Sequence, residues 1–313
     1  MYVGDRRSIR QAILFGIASF SLLVRNFDII DADHMPYMQL IPLRLVAWIR
    51  RVPLIVTWHE WWGAEYWVAY LGRAGRLAAL LERLAARSAD HLIVVSPDTA
   101  ASLQKDGIPA DRITVIPLGV DLASIQEAAP FPRAFDLAYI GRLLAHKGVD
   151  MLLRAVASLR DAGVKVTCAI AGQGPESGAL RALTSQLSLD AQVTFLEHLE
   201  EHQEVFGLMK SARVFVYPSV REGFGLAVVE ALACGTPVVT CDHPDNYARH
   251  LVEDGRSGRV CQPDPASLAA AIRDVLEADL AREPLITAAS QWDWAPRTEE
   301  IVALYRAAAR GSL

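Results

Sequence analysis

Cysteine is scarce in this chain. Only four of its 313 residues are cysteines, and no two of them form a C-x-x-C pair. Isolated thiols within strand-like and helical stretches are typical of buried, reduced side chains rather than of disulfides or structural zinc sites. This pattern indicates a reducing compartment, and we expect the protein to be cytoplasmic.

The chain also lacks a basic surplus and a hydrophobic run long enough to span a membrane. Its formal net charge is −5 and its pI is about 5.9, which argues against a nucleic-acid partner. An apolar run at residues 12–24 follows three arginines, as in a signal peptide. This run is too short for a bilayer, and no small-residue cleavage site follows it. We therefore expect a helix that packs on a sheet.

Short aliphatic runs and helical patterns alternate along the whole chain. Hydrophobic residues make up 52% and charged residues 21%, as in globular proteins, and 313 residues are enough for two domains. The predicted strands are residues 27–32, 54–58, 91–95, 113–116, 137–140, 166–171, 193–195, 214–217, 238–240 and 258–261. The clearest helical patterns are residues 77–87, 149–161, 178–187, 203–209 and 267–277. This alternation predicts βαβ units with parallel sheets, hence doubly wound α/β domains.

A proline-containing break at residues 121–133 divides the chain and is interpreted as an interdomain linker. We therefore expect an N-terminal domain over residues 1–125 and a second domain over residues 126–290. A closing helical segment is expected over residues 291–313.

The most informative segment is Glu222-Gly-Phe-Gly-Leu-Ala-Val-Val-Glu230. Its two carboxylates bracket a glycine-containing turn that opens into an apolar helix, after a predicted strand and a Pro-Ser turn. We expect N–H groups at Gly225, Leu226 and Ala227 to be free at the helix N-terminus. Such N–H groups bind anions, and two fixed carboxylates can hold hydroxyl groups. A phosphorylated sugar is the ligand that needs both.

This Glu-x7-Glu segment resembles the signature of the retaining glycosyltransferases of family 4, which have the two-domain GT-B fold. Three further segments follow the family's order: Tyr139-Ile-Gly-Arg-Leu-Leu-Ala-His-Lys-Gly148, Ala169-Ile-Ala-Gly-Gln-Gly-Pro175 and Val193-Thr-Phe-Leu-Glu-His-Leu199. The resemblance covers the chain from about Phe27 to the C-terminus. It implies two Rossmann-like domains facing a cleft, with the last helix crossing back onto the first domain. It also implies a nucleotide-diphospho-sugar donor, a glycan or lipid-linked acceptor, no cofactor and no metal.

The resemblance also implies which residues bind the donor. Arg142 and Lys147 would hold the diphosphate, where fixed positive charge stabilises the leaving phosphate. The backbone at Gly225 and Leu226 would add N–H donors to the same group. Glu230 would accept hydrogen bonds from the ribose hydroxyls.

Three further positions are implied around the base and the transferred sugar. The ends of two strands, at residues 171–174 and 196–199 with Gly172 and Leu199, would read uracil or guanine through backbone groups. Glu222 would orient the transferred sugar and support its developing positive charge. His59 would face that sugar from the first domain, and its rival interpretation is a satisfied core histidine.

Two motifs in the sequence suggest metal sites, and we expect neither to bind a metal. Asp31-Ala-Asp33 is a D-x-D motif, which holds a divalent cation in another large glycosyltransferase fold. Here it ends a strand of the domain that would not bind the donor. The segment His198-Leu-Glu-Glu-His202 matches H-x-x-E-H, but no third ligand is evident.

An aromatic cluster in the first domain admits three interpretations. Its members are Trp58, Trp61, Trp62, Tyr66, Trp67 and Tyr70, followed by Arg73 and Arg76. Aromatic residues beside arginines suit a membrane interface, a sugar-stacking rim or an ordinary core. Many relatives glycosylate lipid-linked acceptors, so the expected partners include the cytoplasmic face of a membrane, contacted peripherally.

The N-terminal domain departs from the family's pattern. Relatives begin with a strand, a glycine-rich loop and two further βα units, whereas this chain opens with a helix and a strand that resembles the family's fourth. Residues 27–32 would then form an open sheet edge, through which a partner chain or a second copy could pair. The alternative function is a non-catalytic nucleotide-sugar-binding subunit, or a truncated inactive form, that needs a partner chain.

Overall fold

The chain folds into two compact units in a computed structural model that describes residues 2–3, 6–7, 9–196, 199 and 201–312. Unit 1 comprises Met1–Pro117 and Ala295–Leu313, and unit 2 comprises Leu118–Trp294. Each unit contains a parallel β-sheet with helices packed on it, as the alternating sequence pattern predicts.

The helices and strands follow in chain order. The part of unit 1 before Pro117 contains β1 (Tyr2–Val3), β2 (Arg6–Arg7), α1 (Ile9–Ala18), β3 (Ile30–Asp33), α2 (Leu40–Arg50), β4 (Leu54–Trp58), α3 (Gly63–Leu71), α4 (Gly75–Ser88), β5 (His91–Val94), α5 (Pro97–Lys105) and β6 (Ile113–Val115). Unit 2 contains α6 (Leu122–Glu127), β7 (Phe135–Ile140), α7 (Val149–Asp161), β8 (Cys168–Ala171), α8 (Ser177–Gln186), β9 (Val193–Leu196), α9 (His202–Lys210), β10 (Ala212–Tyr217), α10 (Leu226–Ala233), β11 (Val238–Cys241), β12 (Gly258–Cys261), α11 (Pro265–Ala278) and α12 (Arg282–Ala289). The last helix, α13 (Trp294–Ala309), continues from unit 2 into unit 1.

The main sheet of unit 1 has the order β3-β4-β5-β6, with every pair parallel. Because right-handed crossovers between strands that advance in one direction lie on one face, the helices between these strands share a face. The hydrophobic core between these helices and the sheet includes Leu43 of α2, Ala86 of α4 and Leu103 of α5. The opposite face is covered by α13, whose Leu304 and Ala308 pack against β4 and β5.

The sheet of unit 2 has six parallel strands in the order β12-β11-β10-β7-β8-β9. Counted from β7, this is the doubly wound order 3-2-1-4-5-6, and the direction of winding reverses between β7 and β10. Loops after these two strands leave the sheet in opposite directions, which opens a crevice beyond their carboxyl ends. The strand order therefore fixes where a ligand site in unit 2 can form.

Each of the ten predicted strands overlaps an observed strand, and helix α7 has the predicted bounds. Helices α2, α3, α5, α6 and α12 lie outside the helical patterns named from the sequence. Of these, α6 occupies part of the predicted linker, where the Asp121 side chain accepts a hydrogen bond from the Ser124 N–H (3.0 Å).

The apolar run at residues 12–24 forms most of α1 and the 3₁₀ segment Ser19–Val24. The expectation that it packs on a sheet holds for part of the run: Leu22 and Leu23 pack against the core on the sheet of unit 1. By contrast, Leu14, Ile17 and Val24 are exposed. Within the described residues, no helix combines the length and hydropathy needed to cross a membrane. All four cysteines are free, and three of them are buried.

Candidate active site

The loops after β7 and β10 are joined at the crevice of unit 2. The Val220 N–H and the Ser219 hydroxyl both donate to the His146 carbonyl oxygen, at 3.0 and 3.2 Å. Gly148, with φ 66°, lies so close to Pro218 that any Cβ would overlap the proline carbonyl. The two loops are thus held side by side, which brings together side chains that are far apart in sequence.

Lys147 and Glu222 form the centre of this site. The Lys147 Nζ donates to the Glu222 Oε1 at 2.5 Å and to the Tyr217 hydroxyl at 3.1 Å. The Lys147 and Glu222 side chains are only 14% and 11% exposed, and the ammonium also lies 5.2 Å from the centroid of the Tyr217 ring. Burial, with the nearby Glu222 carboxylate, raises the pKa of Tyr217, so this phenol stays protonated. The site therefore holds a fixed cation beside a fixed carboxylate.

The backbone of Glu222 is held by the loop after β11. Its N–H donates to the Asp245 carbonyl (2.9 Å), and its carbonyl accepts from the Tyr247 N–H (3.0 Å). The buried Asn246 side chain between them donates to the Cys241 carbonyl at 2.7 Å, which ties this loop to the end of β11. Three neighbouring strands therefore set the position of Glu222.

Helix α10 begins beside Glu222. Its N-cap, Gly225, has φ 105°, and a Cβ at this position would overlap the Ala248 side chain, so only glycine fits. The Val228 N–H donates to the Gly225 carbonyl at 2.9 Å. Within the described part of the chain, no backbone carbonyl accepts from the Leu226 or Ala227 N–H. These N–H groups carry the positive end of the helix dipole.

Glu230 lies in the second turn of α10 and is half-buried. Burial raises the pKa of its carboxyl, an effect that the charge of His202 opposes. Arg142, the other predicted phosphate ligand, has an exposed side chain, and its carbonyl accepts a 3.0 Å hydrogen bond from the buried Tyr139 hydroxyl.

Gly172 lies where the ends of β7 and β8 come close together. Its N–H donates to the Leu196 carbonyl (3.1 Å), and a Cβ on it would overlap the Gly141 carbonyl oxygen. Leu199 is half-buried, whereas residues 197, 198 and 200 lie outside the described residues. Of the predicted base pocket, the structure therefore describes residues 171–174, residue 196 and Leu199, but not the residues next to Leu199. The H-x-x-E-H segment also has two of its residues outside the described part.

His59 lies in unit 1 after β4, and its side chain is 42% exposed, so it is not a core histidine. Its Nε2 is 2.9 Å from the Asp33 Oδ1, and its backbone N–H donates to the Nδ1 of His34 at 3.5 Å. His34 itself is buried against Trp58, with ring centroids 4.9 Å apart. The hydrogen bond to His59 lowers the pKa of Asp33, which therefore stays ionised.

The D-x-D aspartates have partners other than a metal ion in this structure. The Asp31 carboxylate is hydrogen-bonded by Tyr305 of α13, and Asp33 is paired with His59. Among the described residues, no three or more His, Cys, Asp or Glu side chains are grouped so that they could hold a metal ion.

The aromatic cluster of unit 1 surrounds a buried carboxylate, Glu82 of α4, which is 0% exposed. Four donors converge on it: the Tyr37 hydroxyl (2.7 Å), the Trp62 N–H (3.0 Å), the Gly63 N–H (2.9 Å) and the Trp67 Nε1–H (3.0 Å). Of the three interpretations, an ordinary core fits Trp58 and Trp67, which are buried, whereas Trp61, Trp62 and Tyr66 are half-buried and Tyr70 is 62% exposed. Glu82 fixes the segment that follows His59.

Three residues of these sites, Tyr217, Asp33 and Glu82, were not predicted from the sequence. Tyr217 ends a predicted strand just before the Pro-Ser turn, a position that signals an active-site edge. Asp33 was considered only as a metal ligand. Glu82 occupies the buried face of an amphipathic helix, where a lone carboxylate signals a buried hydrogen-bond network.

Two family models match the chain: Glycosyltransferase Family 4 over residues 3–124 and Glycosyl transferases group 1 over residues 123–292. A Mycobacterium tuberculosis glycogen synthase is 33% identical over 283 residues, covering 86% of this chain and 67% of the relative. A GDP-mannose-dependent alpha-(1-6)-phosphatidylinositol dimannoside mannosyltransferase from the same species is 32% identical over 239 residues, covering 69% and 61%. The chain belongs to the group 1 glycosyltransferases of family 4, and it spans about two thirds of the length of these relatives.

Solved structures share the fold. The Anabaena protein Alr3699/HepE in complex with UDP and glucose has a TM-score of 0.77 and 22% identity, covering 96% of this chain and 84% of that one. Sucrose-phosphate synthase from Thermosynechococcus elongatus has a TM-score of 0.80 and 23% identity, covering 98% and 80%. The predicted GT-B fold and the resemblance to family 4 are both confirmed.

Proposed function

We propose that this chain is a retaining glycosyltransferase that transfers a sugar from a nucleotide-diphospho-sugar to a glycan or lipid-linked acceptor without a metal ion. The observation that carries the proposal is the Lys147–Glu222 pair at the crevice of unit 2, beside the N-terminus of α10. An anion site and a carboxylate lie side by side there, as a phosphorylated sugar requires.

The donor diphosphate would be bound by Lys147, by Arg142 and by the N–H groups at the start of α10. When the bond between the anomeric carbon and the diphosphate breaks, negative charge grows on the leaving phosphate, and these fixed dipoles and cations stabilise it. In the observed pair, Glu222 neutralises Lys147. A bound diphosphate offers Lys147 a second anion, so the Glu222 carboxylate can accept hydrogen bonds from sugar hydroxyls.

Retention is proposed to occur by reaction on one face of the sugar, with the leaving phosphate helping to deprotonate the acceptor. Glu222 then acts as an orienting group rather than as a covalent nucleophile. The names of two known proteins support the donor class, since one uses GDP-mannose and the other was crystallised with UDP and glucose.

Nucleotide binding tests the donor assignment directly. The purified chain should bind UDP or GDP in the presence of a chelator, measured by calorimetry. Glu230→Ala should weaken binding by about 1–3 kcal/mol, because charged hydrogen bonds to the ribose are lost. Burial raises the pKa of Glu230, so the carboxylate takes up its proton at a higher pH than an exposed one. Wild-type binding should therefore weaken on mild acidification, and the variant should lose this dependence.

The matched control is Glu283→Ala, which removes an exposed glutamate of α12 in the same unit. It should leave the affinity unchanged. Binding that disappears with the chelator would contradict the metal-independent assignment. An affinity that Glu230→Ala does not change would contradict the role of Glu230.

The His59–Asp33 pair gives a second prediction, for unit 1. His59→Ala should lower transfer by about 10–100-fold with little change in nucleotide affinity, since the proposed partner of His59 is the transferred sugar. Asp33→Asn keeps the hydrogen-bonding shape without the charge and should lower kcat by a smaller factor. It should also shift the NMR resonances of the His59 ring, which tests whether the Asp33–His59 hydrogen bond is present in solution. Equal losses of binding and turnover would contradict this assignment.

The alternative function, a non-catalytic donor-binding subunit, is favoured by one observation. Among the described residues, β3 pairs only with β4, so its other edge is open to a strand from a partner chain or a second copy. A transfer assay on the isolated chain distinguishes the two functions, because only the enzyme transfers sugar without a partner. A lipid-linked acceptor also requires that the chain contact a membrane surface peripherally.

A further inference from the structure

Exposed apolar side chains are concentrated in one part of unit 1. Of the 21 large hydrophobic residues that are exposed in the described part of the chain, 17 lie between Ile13 and Leu84. A contiguous apolar surface of this kind marks an interaction site in a soluble fold, whereas isolated exposed apolar residues do not. The apolar side chains on α1, α2 and α4 therefore indicate a surface that binds a partner.

Helix α2 shows this arrangement most clearly, because it is apolar on two faces. Its inner face contributes buried side chains to the core on the sheet: Leu40, Leu43, Val46 and Ala47. Its outer side chains have the spacing of a single helical face: Ile41, Leu45, Trp48 and Ile49, exposed by 58, 43, 71 and 51%. A strand added at the edge of β3 would not cover this outer face, since the face is directed away from the sheet.

Helices α1 and α4 both contact α2 and carry similar exposed side chains. The exposed apolar residues of α4 are Leu77, Leu80 and Leu84, and those of α1 include Ile13, Leu14 and Ile17. We name the exposed side chains of α1, α2 and α4, with the arginines that flank them, the outer surface of unit 1.

The charges on the outer surface are of one sign. Residues 9–25, 40–51 and 72–88 contain nine arginines and a single carboxylate, Glu82, which is fully buried. Arg44 and Arg83 pair with Asp90 and Asp106, each at 2.6 Å. For the other seven arginines, no ion pair occurs in the described part of the chain. This surface is cationic although the chain has a net charge of −5.

Apolar side chains combined with more arginines than exposed carboxylates match the interface of an anionic lipid bilayer. Trp48, which is 71% exposed, is followed by Ile49, Arg50 and Arg51, so an aromatic ring and two cations lie together at the end of α2. A groove of about 690 Å³ adjoins them and is lined by Trp48 and Arg51, together with Arg44 and the Asp90 carboxylate that pairs with it. Within this groove, Arg51 is the cation that can contact an acidic headgroup. A second copy of this chain fits less well, because two such surfaces would repel each other.

We propose that the outer surface of unit 1 docks this chain onto a bilayer that contains anionic lipids, with Trp48 inserted at the headgroup level. The inference rests on the proposed function only because a lipid-linked acceptor would be located in a membrane. Docking itself requires no transfer activity, so it can be tested separately.

Flotation of the full chain with vesicles tests the docking. The chain should bind vesicles of phosphatidylcholine mixed with phosphatidylglycerol much better than phosphatidylcholine alone, and salt should weaken this binding. The double variant Trp48→Ser/Arg51→Glu should lower the partition coefficient by about tenfold or more, because it removes an interfacial ring and reverses a charge. Both side chains lie on the surface, so the fold should survive.

The matched control is Ile286→Ser/Arg256→Glu, which makes the same kinds of change at exposed positions of unit 2. It should bind vesicles like the wild type. Nucleotide binding by unit 2, measured on all three proteins, shows separately whether the donor assignment holds. The docking proposal is overturned if the two vesicle types bind equally, if neither binds, or if both double variants lose binding alike. It is also overturned if sedimentation shows a dimer that the Trp48→Ser/Arg51→Glu variant dissociates, since the surface would then join two copies.

Discussion

Replacing Glu222 by alanine should lower sugar transfer by at least ~100-fold while nucleotide affinity stays within about threefold. The proposed partner of Glu222 is the reacting sugar, so its loss should affect the transition state rather than the bound nucleotide. Lys147 keeps its hydrogen bond to the Tyr217 hydroxyl after the substitution, and its charge remains available to the diphosphate. Steady-state transfer rates and calorimetric UDP or GDP affinities measure the two effects separately.

Two further variants sharpen this test. Glu222→Gln retains the size of the side chain but removes the charge that balances Lys147, and it should also be strongly impaired. Asp242→Ala removes an exposed carboxylate of unit 2 that pairs with Arg249 at 3.0 Å, and it should transfer sugar normally. If Glu222→Ala lost nucleotide binding and turnover in equal measure, Glu222 would be a structural residue instead.

Replacing Glu82 by alanine should destabilise unit 1 by about 3–5 kcal/mol. The substitution leaves four donors without their acceptor, including the buried Trp67 Nε1–H and the Tyr37 hydroxyl, and each unsatisfied buried group has a cost. Hydrogen exchange of the β4 and β5 amides measures this loss in unit 1, whereas the β7 and β10 amides of unit 2 should keep their protection. The His59 segment should become mobile in the same variant, since Trp62 and Gly63 lose their anchor.

The pH dependence of unit 1 provides an independent measurement on Glu82. Burial raises the pKa of Glu82 above its ordinary value of 4.5, so the folded state binds the proton more tightly than the unfolded state. Its contribution to stability is therefore greatest below pH 4.5 and is lost as the pH rises through the folded-state pKa. In a plot of the free energy of unfolding of unit 1 against pH, Glu82→Gln should remove the part of the slope that Glu82 contributes. Glu65→Ala, at an exposed position of α3, should change neither the slope nor the stability.

Local sequence determined the secondary structure of the two sheets. Most strands are short, mainly aliphatic runs between turn residues, because both faces of a parallel sheet are covered. The edge strands β3 and β12 carry charged residues as well. Helix α7 was predictable because its apolar residues recur with a helical period. Helix α2 was not, because Pro42 in its first turn and apolar residues on both faces hide that period.

The sequence also placed Glu222 beyond a strand and Glu230 inside a helix, since these positions depend only on nearby residues. The tertiary structure decided which side chains meet. Lys147 and Glu222 are 75 residues apart, and they form an ion pair because β7 and β10 are neighbours at the point where the strand order reverses. No local pattern encodes that neighbourhood.

The same physical reason explains the two sites in unit 1. Asp33 and His59 are adjacent because β3 pairs with β4, and Glu82 meets its donors because α3 packs on α4. The outer face of α2 is apolar in the sequence in the same way as its inner face. Only the packing of that helix on the sheet decided which of the two faces is buried and which is free to contact a partner. Composition therefore determined that these residues are apolar, and strand order and helix packing determined where they lie.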